Sequence, residues 1–217
     1  MRMRLSWLAA AAACAAPAAA PAQLAPGLSG SSTTSYMNGT EYWETLRSFG
    51  ACFAKQSEDK AVALISTPYD SKEEMQAYRA ISKRSREQAC LMDTSIGAPV
   101  TLVRGAIAEG LLRKGYAVPA ELVLTAPAPG TTRTLSDAAR CYVAGHRADA
   151  MALIERTVPG SKKERAALNA MSSDFWMCLP KKAQKAAFNP TQIRYRLAEA
   201  LLRMPATTAA APAAQEQ

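Results

Sequence analysis

The chain has 217 residues, of which 49% are hydrophobic, and a formal net charge of +8. The positive charge favours contact with anionic polymers or lipid headgroups through long-range attraction. The chain has one histidine, His146, and none of the familiar metal, phosphate-binding or haem motifs. We therefore expect no metal, no cofactor and no catalytic residue of the Ser-His-Asp or Cys-His type.

Residues 1–22 have the pattern of a signal peptide. A basic start with Arg2 and Arg4 precedes an alanine-rich apolar run, which is shorter than the roughly 20 apolar residues of a membrane span. The sequence therefore predicts a periplasmic or secreted protein with no transmembrane segment in the mature form. Loss of the two arginines lowers the formal charge from +8 to +6. A lipoprotein anchored through Cys14 is the alternative, and nucleic acid is not an expected partner in either case.

Beyond a flexible linker at residues 23–39, the sequence repeats itself. Cys52-Phe53 returns as Cys141-Tyr142, and a Thr-x-x-Arg-x-x-x-Ala-Glu-x-Leu-Leu-Arg segment occurs twice. Two tandem copies of one structural unit explain this pattern. We place helical repeat 1 at residues 40–116, an inter-repeat loop at 117–134, helical repeat 2 at 135–204 and a disordered tail at 205–217.

The fold is expected to be all-α, with about four helices in each repeat and helical-bundle or short-solenoid packing. The first helix of repeat 1 has apolar residues at the helical period from Tyr42 to Phe53. Second helices are expected at residues 58–66 and 147–156. His146 lies at the turn before the latter, where repeat 1 has Ser57, and is expected at the surface.

The third helix of each repeat begins with Ser-x-x-Glu, the pattern of a capping box. In such a box the serine side chain accepts a hydrogen bond from the backbone, and the glutamate side chain accepts one in return. The serines are Ser71 and Ser161, and the glutamates are Glu74 and Glu164.

The fourth helix, expected at residues 100–114 and 190–204, contains two candidate site residues, Arg104 and Arg194. Each lies on the flank of an apolar face, so we expect it to anchor the structure by bonding to carbonyl oxygens or to an acid of a neighbouring helix. The functional alternative is an anion-binding arginine in a groove at the junction of the repeats. Later in the same helix, exposed i,i+4 ion pairs are expected at Glu109–Arg113 and Glu199–Arg203.

Four cysteines remain after removal of the signal peptide, and in an oxidising compartment they are expected to form disulfides. Cys52 and Cys90 are 38 residues apart, and Cys141 and Cys178 are 37 apart. The matching intervals favour one disulfide within each repeat. Nothing near these cysteines has the C-x-x-C spacing of redox catalysis.

An alanine-rich export signal, two Cys-to-Cys units and an Arg-x-x-x-Ala-Glu-x-Leu-Leu-Arg helix after each unit resemble uncharacterised exported α-helical proteins of alphaproteobacteria. The resemblance covers residues 42–114 and 135–204. It implies a periplasmic location and no catalytic residue. Gly105 and Tyr195 differ between the two corresponding helices, so the packing at this position is not predicted.

These observations favour a non-catalytic periplasmic helical-repeat protein that binds or scaffolds an envelope component. The expected partner is an anionic envelope component or another protein. One alternative is a hydrolase of an envelope polymer, with a carboxylate pair between the repeats. A second is an inhibitor of a secreted enzyme.

Overall fold

A computed structural model describes residues 39–82, 90, 98–128, 130–179 and 189–206, apart from the side chains of Thr40 and Ser82. The expected signal peptide, almost all of the expected linker and most of the expected tail lie outside these residues. The end of the third helix before Cys90 lies outside them too.

The described residues form seven α-helices and no strand, which confirms the all-α class. A short 3-10 helix at Ala120–Leu122 lies in the connection between α4 and α5. The helices are α1 Gly39–Gln56, α2 Glu58–Ser66, α3 Lys72–Ser82, α4 Val100–Lys114, α5 Leu135–Arg156, α6 Lys162–Met177 and α7 Pro190–Arg203.

The second half, α5 to α7, has its second helix where it is expected, as the C-terminal part of α5. Residues 147–156 are helical and are separated from the first part of α5 by a kink at His146 (φ −131°, ψ 39°). Ser57, between α1 and α2, has nearly the same backbone conformation (φ −141°, ψ 52°). The chain therefore bends at the same place in both halves.

The fourth helix of each half, α4 and α7, lies at the centre of the fold. α4 packs on α1, α7 packs on α5, and α4 and α7 pack on each other. The apolar core of the first half includes Tyr195 and Leu202 of α7, while Leu112 of α4 packs against the core of the second half. Each half thus completes the core of the other, as expected of units too small to bury a large core alone.

The packing of α4 on α7 explains the difference between Gly105 and Tyr195. A Cβ atom on Gly105 would lie 2.2 Å from the Cβ atom of Tyr195, closer than two carbon atoms can approach. Tyr195 is 1% exposed and fills the space that the glycine leaves. The two corresponding positions meet at the interface between the halves, where one must be small because the other is large.

Two disulfides join the outer helices to the segments that follow α3 and α6. Cys52 of α1 is bonded to Cys90, and Cys141 of α5 is bonded to Cys178, with Cα–Cα distances of 5.5 and 5.8 Å. Both separations lie in the ordinary range for disulfides. Each half is therefore cross-linked within itself, with the pairing that the cysteine intervals favour.

None of the described helices has both the length and the apolar character needed to cross a membrane.

Candidate functional site

Arg104 and Arg194 lie at the interface of α4 and α7, and each bonds to a glutamate of the other helix. Arg104 Nη2 donates to Glu199 Oε1 at 2.8 Å, and its Nε lies 3.1 Å from both carboxylate oxygens. Arg194 donates through Nε and Nη2 to the two oxygens of Glu109, both at 2.8 Å. Both arginines are 0% exposed. Two crossed, buried ion pairs therefore join the halves.

The remaining donors of Arg104 are bound within the first half. Nη1 donates to Glu74 Oε1 at 3.0 Å and to the hydroxyl of Thr67 at 3.1 Å, and Nη2 donates to the carbonyl of Ile65 at 2.8 Å. Every nitrogen of this guanidinium thus has a protein acceptor. An anion could bind Arg104 only by displacing one of them.

Arg194 has a matching environment in the second half. Nη1 donates to the hydroxyl of Thr157 at 2.7 Å, and Nη2 donates to the carbonyl of Ile154 at 3.0 Å. Glu164 takes the place that Glu74 has beside Arg104, but its Oε1 is 3.5 Å from Nη1 of Arg194 and accepts no hydrogen bond from the described residues. Burial raises the pKa of Glu164 despite the nearby arginine.

The two glutamates near these arginines also cap helices, in a way that differs from the expected box. Ser71 accepts from the backbone N–H of Glu74 at 3.0 Å, as predicted. Glu74 accepts from the N–H of Asp70 at 2.8 Å rather than from that of Ser71. One carboxylate thereby fixes both the start of α3 and the position of Arg104. The corresponding contacts in the second half involve Gly160, Ser161 and Glu164.

The glutamates of the expected i,i+4 pairs are buried rather than exposed. Glu109 is 1% exposed and Glu199 2%. The pairs with Arg113 and Arg203 exist, at 3.0 and 3.4 Å, but they are secondary to the crossed pairs with the arginines of the opposite helix. The sequence pattern shows neighbours along one helix, and the cross-helix partner depends on how α4 and α7 meet.

A groove of about 410 Å³ lies beside the Arg104–Glu199 pair, and we call it the Arg196 groove. It is formed by the segment after α2, the start of α5 and the second half of α7. Its charged residues are Asp137, Arg140, Arg196, Glu199 and Arg203, and its other lining residues are Ser66, Thr67, Pro68, Tyr69, Leu124, Thr134, Ser136 and Ala200.

Tyr69 lies between two guanidinium groups in this groove. The guanidinium carbon of Arg104 is 4.2 Å from the ring centroid and that of Arg196 is 4.3 Å from it. The hydroxyl of Tyr69 donates a short hydrogen bond to Glu199. Burial and the negative charge of Glu199 raise the pKa of Tyr69 to about 12, so the hydroxyl stays protonated at neutral pH.

Arg196 is the one arginine of the groove with a buried donor left over. Its Nη1 is shielded from solvent and has no hydrogen-bond partner among the described residues. By contrast, Arg140 donates to the carbonyl of Thr125 at 3.0 Å, and Arg203 donates to the carbonyls of Leu122 and Ile65 at 3.0 Å each.

The two carboxylates that line the groove are both ionised. Burial alone would raise the pKa of Glu199, but the charge and hydrogen bonds of Arg104 lower it below the usual value. The pKa of Asp137 is lowered as well, because hydrogen bonds from the backbone of Arg133 and from Arg140 outweigh its partial burial. Neither carboxylate therefore has the raised pKa of a glycosidase acid.

A smaller groove of about 350 Å³ lies at the corresponding place in the other half, lined by Glu44, Arg47, Ser48, Ala51, Arg113 and Val158. Arg47 and Arg113 both contact Glu109, at 3.4 and 3.0 Å. Burial and the charge of Arg113 lower the pKa of Arg47. Arg47 and Arg113 therefore share the Glu109 carboxylate with Arg194, which donates two hydrogen bonds to it.

His146 and the four disulfide-bonded cysteines are not among the residues that line the Arg196 groove. His146 stacks on Tyr142 with ring centroids 4.7 Å apart, and its side chain is 40% exposed, as expected of a surface histidine. The described residues contain no group of three His, Cys, Asp or Glu side chains that could hold a metal ion. The sequence analysis does not single out Tyr69 or Arg196. A difference between the halves could have pointed to them, because Pro159 stands where the first half has Tyr69 and Ala106 stands where the second half has Arg196.

The geometry therefore separates two roles. The residues common to both halves hold the interface together, and the residues found in one half only, Tyr69 and Arg196, line a groove with an unused cationic donor. Such a groove can bind a ligand by charge and shape. No protein-family model, curated protein or solved structure matches this chain.

Proposed function

We propose that this chain is a non-catalytic periplasmic protein, built from two tandem helical repeats, that binds or scaffolds an anionic envelope component. The observation that carries the proposal is the Arg196 groove, where a buried guanidinium nitrogen has no partner among the described residues. Buried charged donors are normally paired. A ligand in the groove could pair with this one after a turn of the Arg196 side chain, and the gain favours binding there.

The tandem repeat is supported by matched contacts. Arg104 and Arg194 occupy the same place in the repeated segment and bond to the corresponding glutamate of the other half. Thr67 and Thr157 supply corresponding hydroxyls, at 3.1 and 2.7 Å. A duplicated unit that pairs with its own copy would have this approximate two-fold symmetry.

Export is supported by the two disulfides together with the pattern of residues 1–22. Disulfides persist mainly in oxidising compartments. Fractionation of cells that express the full chain, followed by mass spectrometry of its N-terminus, tests this step. We expect a periplasmic or secreted form that begins after residue 22. A full-length chain with free thiols in the cytoplasm would contradict it.

Binding is tested by immobilising the oxidised full chain and passing an envelope extract over it. We expect an anionic component that is retained at low salt and released at high salt, since exposed ionic contacts are screened. Arg196→Ala should retain less of the component, whereas Arg165→Ala, which removes the same charge from an exposed site on α6, should retain as much as the wild type. Retention of no component by the wild-type protein would refute the proposed function.

A further inference from the structure

We infer that the Arg196 groove is a site for a small organic carboxylate and that Arg196 binds its carboxylate group. This inference rests on the proposed function, because it names the ligand class of the same groove. The volume of about 410 Å³ lies within the range of small-molecule sites. Such sites combine apolar walls with a few polar groups that orient the ligand.

The state of Arg196 is the first argument. Its Nη1 is shielded from water and lacks a hydrogen-bond partner within the described part of the chain, which is costly for a charged donor. The ring of Tyr69, 4.3 Å from the guanidinium carbon, holds the guanidinium by a cation–π contact. Because Nη1 is shielded, a carboxylate in the groove can reach it only after the Arg196 side chain turns, and the parallel hydrogen bonds formed then would pair this donor.

The charge of the groove is the second argument. Three arginines and two carboxylates line it, so one positive charge is in excess. A phosphate monoester has nearly two negative charges at neutral pH, whereas a carboxylate has one. A carboxylate therefore balances the groove. The apolar wall formed by Pro68, Leu124 and Ala200 suits an uncharged ligand body next to that group.

The difference between the halves is the third argument. Ala106 stands in α4 where α7 has Arg196, and Pro159 follows α5 where Tyr69 follows α2. The crossed ion pairs are present in both halves and do not need this pair of residues. Arg196 and Tyr69 are therefore additions to the shared scaffold, at the place where the groove has its unused donor.

The experiment measures binding of two carboxylates to the oxidised full chain by calorimetry. Hexanoate represents a free organic acid, and N-acetyl-alanyl-alanine represents a peptide C-terminus. Each is compared with its own amide, which has the same body and no charge. We expect at least one acid to bind about tenfold more tightly than its amide, equivalent to about 1.4 kcal/mol. The better of the two acids identifies the source of the carboxylate.

Arg196→Ala should lose about tenfold in affinity for that acid, and Arg165→Ala should keep it. The alanine variant is expected to fold, because Ala106 already occupies the corresponding position, and circular dichroism checks this. The comparison of acid with amide on the wild-type chain needs no variant and tests the inference independently.

The inference is wrong if acid and amide bind equally, if neither acid binds, or if Arg196→Ala keeps the affinity. Preferential binding of inorganic phosphate at the groove would also overturn it. These outcomes differ from failure of the proposed function. If Arg196→Ala retains less of an envelope component than the wild type but neither acid binds better than its amide, the proposed function stands and the carboxylate site does not.

Discussion

Glu109 of α4 accepts hydrogen bonds from Arg194 of α7 with both carboxylate oxygens, each at 2.8 Å, and neither side chain is more than 1% exposed. Removing two charges from water is costly, so a buried pair of this kind is weak evidence of stability by itself. Its effect is on specificity: the pair, with its counterpart at Arg104 and Glu199, requires that α4 and α7 meet in one register. A slipped register would leave buried charges without partners.

Breaking one crossed pair should therefore destabilise the protein strongly. Glu109→Gln leaves the buried guanidinium of Arg194 without its carboxylate, and we expect the free energy of unfolding to fall by about 3 to 5 kcal/mol. Urea denaturation of the oxidised protein measures this. Glu155→Gln on the exposed side of α5 is the matched control and should change stability by less than about 0.5 kcal/mol. Equal effects of the two substitutions would show that the pair does not hold the halves together.

The interface of the halves contains a second, purely steric constraint, at Gly105. A Cβ atom there would overlap the Cβ atom of Tyr195, so Gly105→Ala should cost about 1 to 3 kcal/mol through overpacking. Thermal unfolding by circular dichroism measures the change. Gly145→Ala is the control, since nothing lies within 4 Å of a Cβ atom at that position, and it should be neutral or slightly stabilising. A neutral Gly105→Ala would mean that α4 and α7 are packed less closely.

The sequence was informative where structure depends on local or repeated patterns. The fourth helix was predicted at residues 100–114 and 190–204, and the structure has α4 at Val100–Lys114 and α7 at Pro190–Arg203. Asn189 and Pro190 begin α7 as a cap and a first-turn proline, with the Asn189 side chain accepting from Thr191 at 2.9 Å. The disulfide pairing followed from the matching cysteine intervals. Each of these features is either local in the sequence or present in both repeats.

The candidate site depends on contacts that no local pattern contains. Glu199 was assigned to a neighbour one turn away, but its main partner Arg104 is far away in the sequence. Tyr69 follows a short helix and no local pattern marks it, because its stacking on Arg196 exists only once α2 and α7 are brought together. A comparison of the two halves for positions that differ would have found Arg196, since Ala106 takes its place in α4.

The disulfides should contribute a large part of the stability. Replacing Cys141 and Cys178 together by serine opens a loop of 37 residues, which is expected to lower the free energy of unfolding by about 4 kcal/mol in the chain-entropy model. Chemical denaturation compared with the wild type measures this. The double variant avoids a free thiol, and the corresponding change at Cys52 and Cys90 should have a similar effect because the loop is of nearly equal length. A change below about 1 kcal/mol would indicate that the unfolded chain is already compact.

Tyr69 should make stability depend on pH in the alkaline range. Burial and the charge of Glu199 raise its pKa from 10.0 to about 12 in the folded protein, so its ordinary value applies only after unfolding. A raised pKa means that folding favours the protonated hydroxyl, and its contribution is fully present below pH 10 and is lost as the pH rises towards 12. Urea denaturation at several pH values measures the slope. Tyr69→Phe keeps the ring between the two arginines and removes the hydroxyl, so its stability should decline less steeply over that window. An identical decline in the wild type and the phenylalanine variant would show that the Tyr69 hydroxyl ionises as readily in the groove as in water.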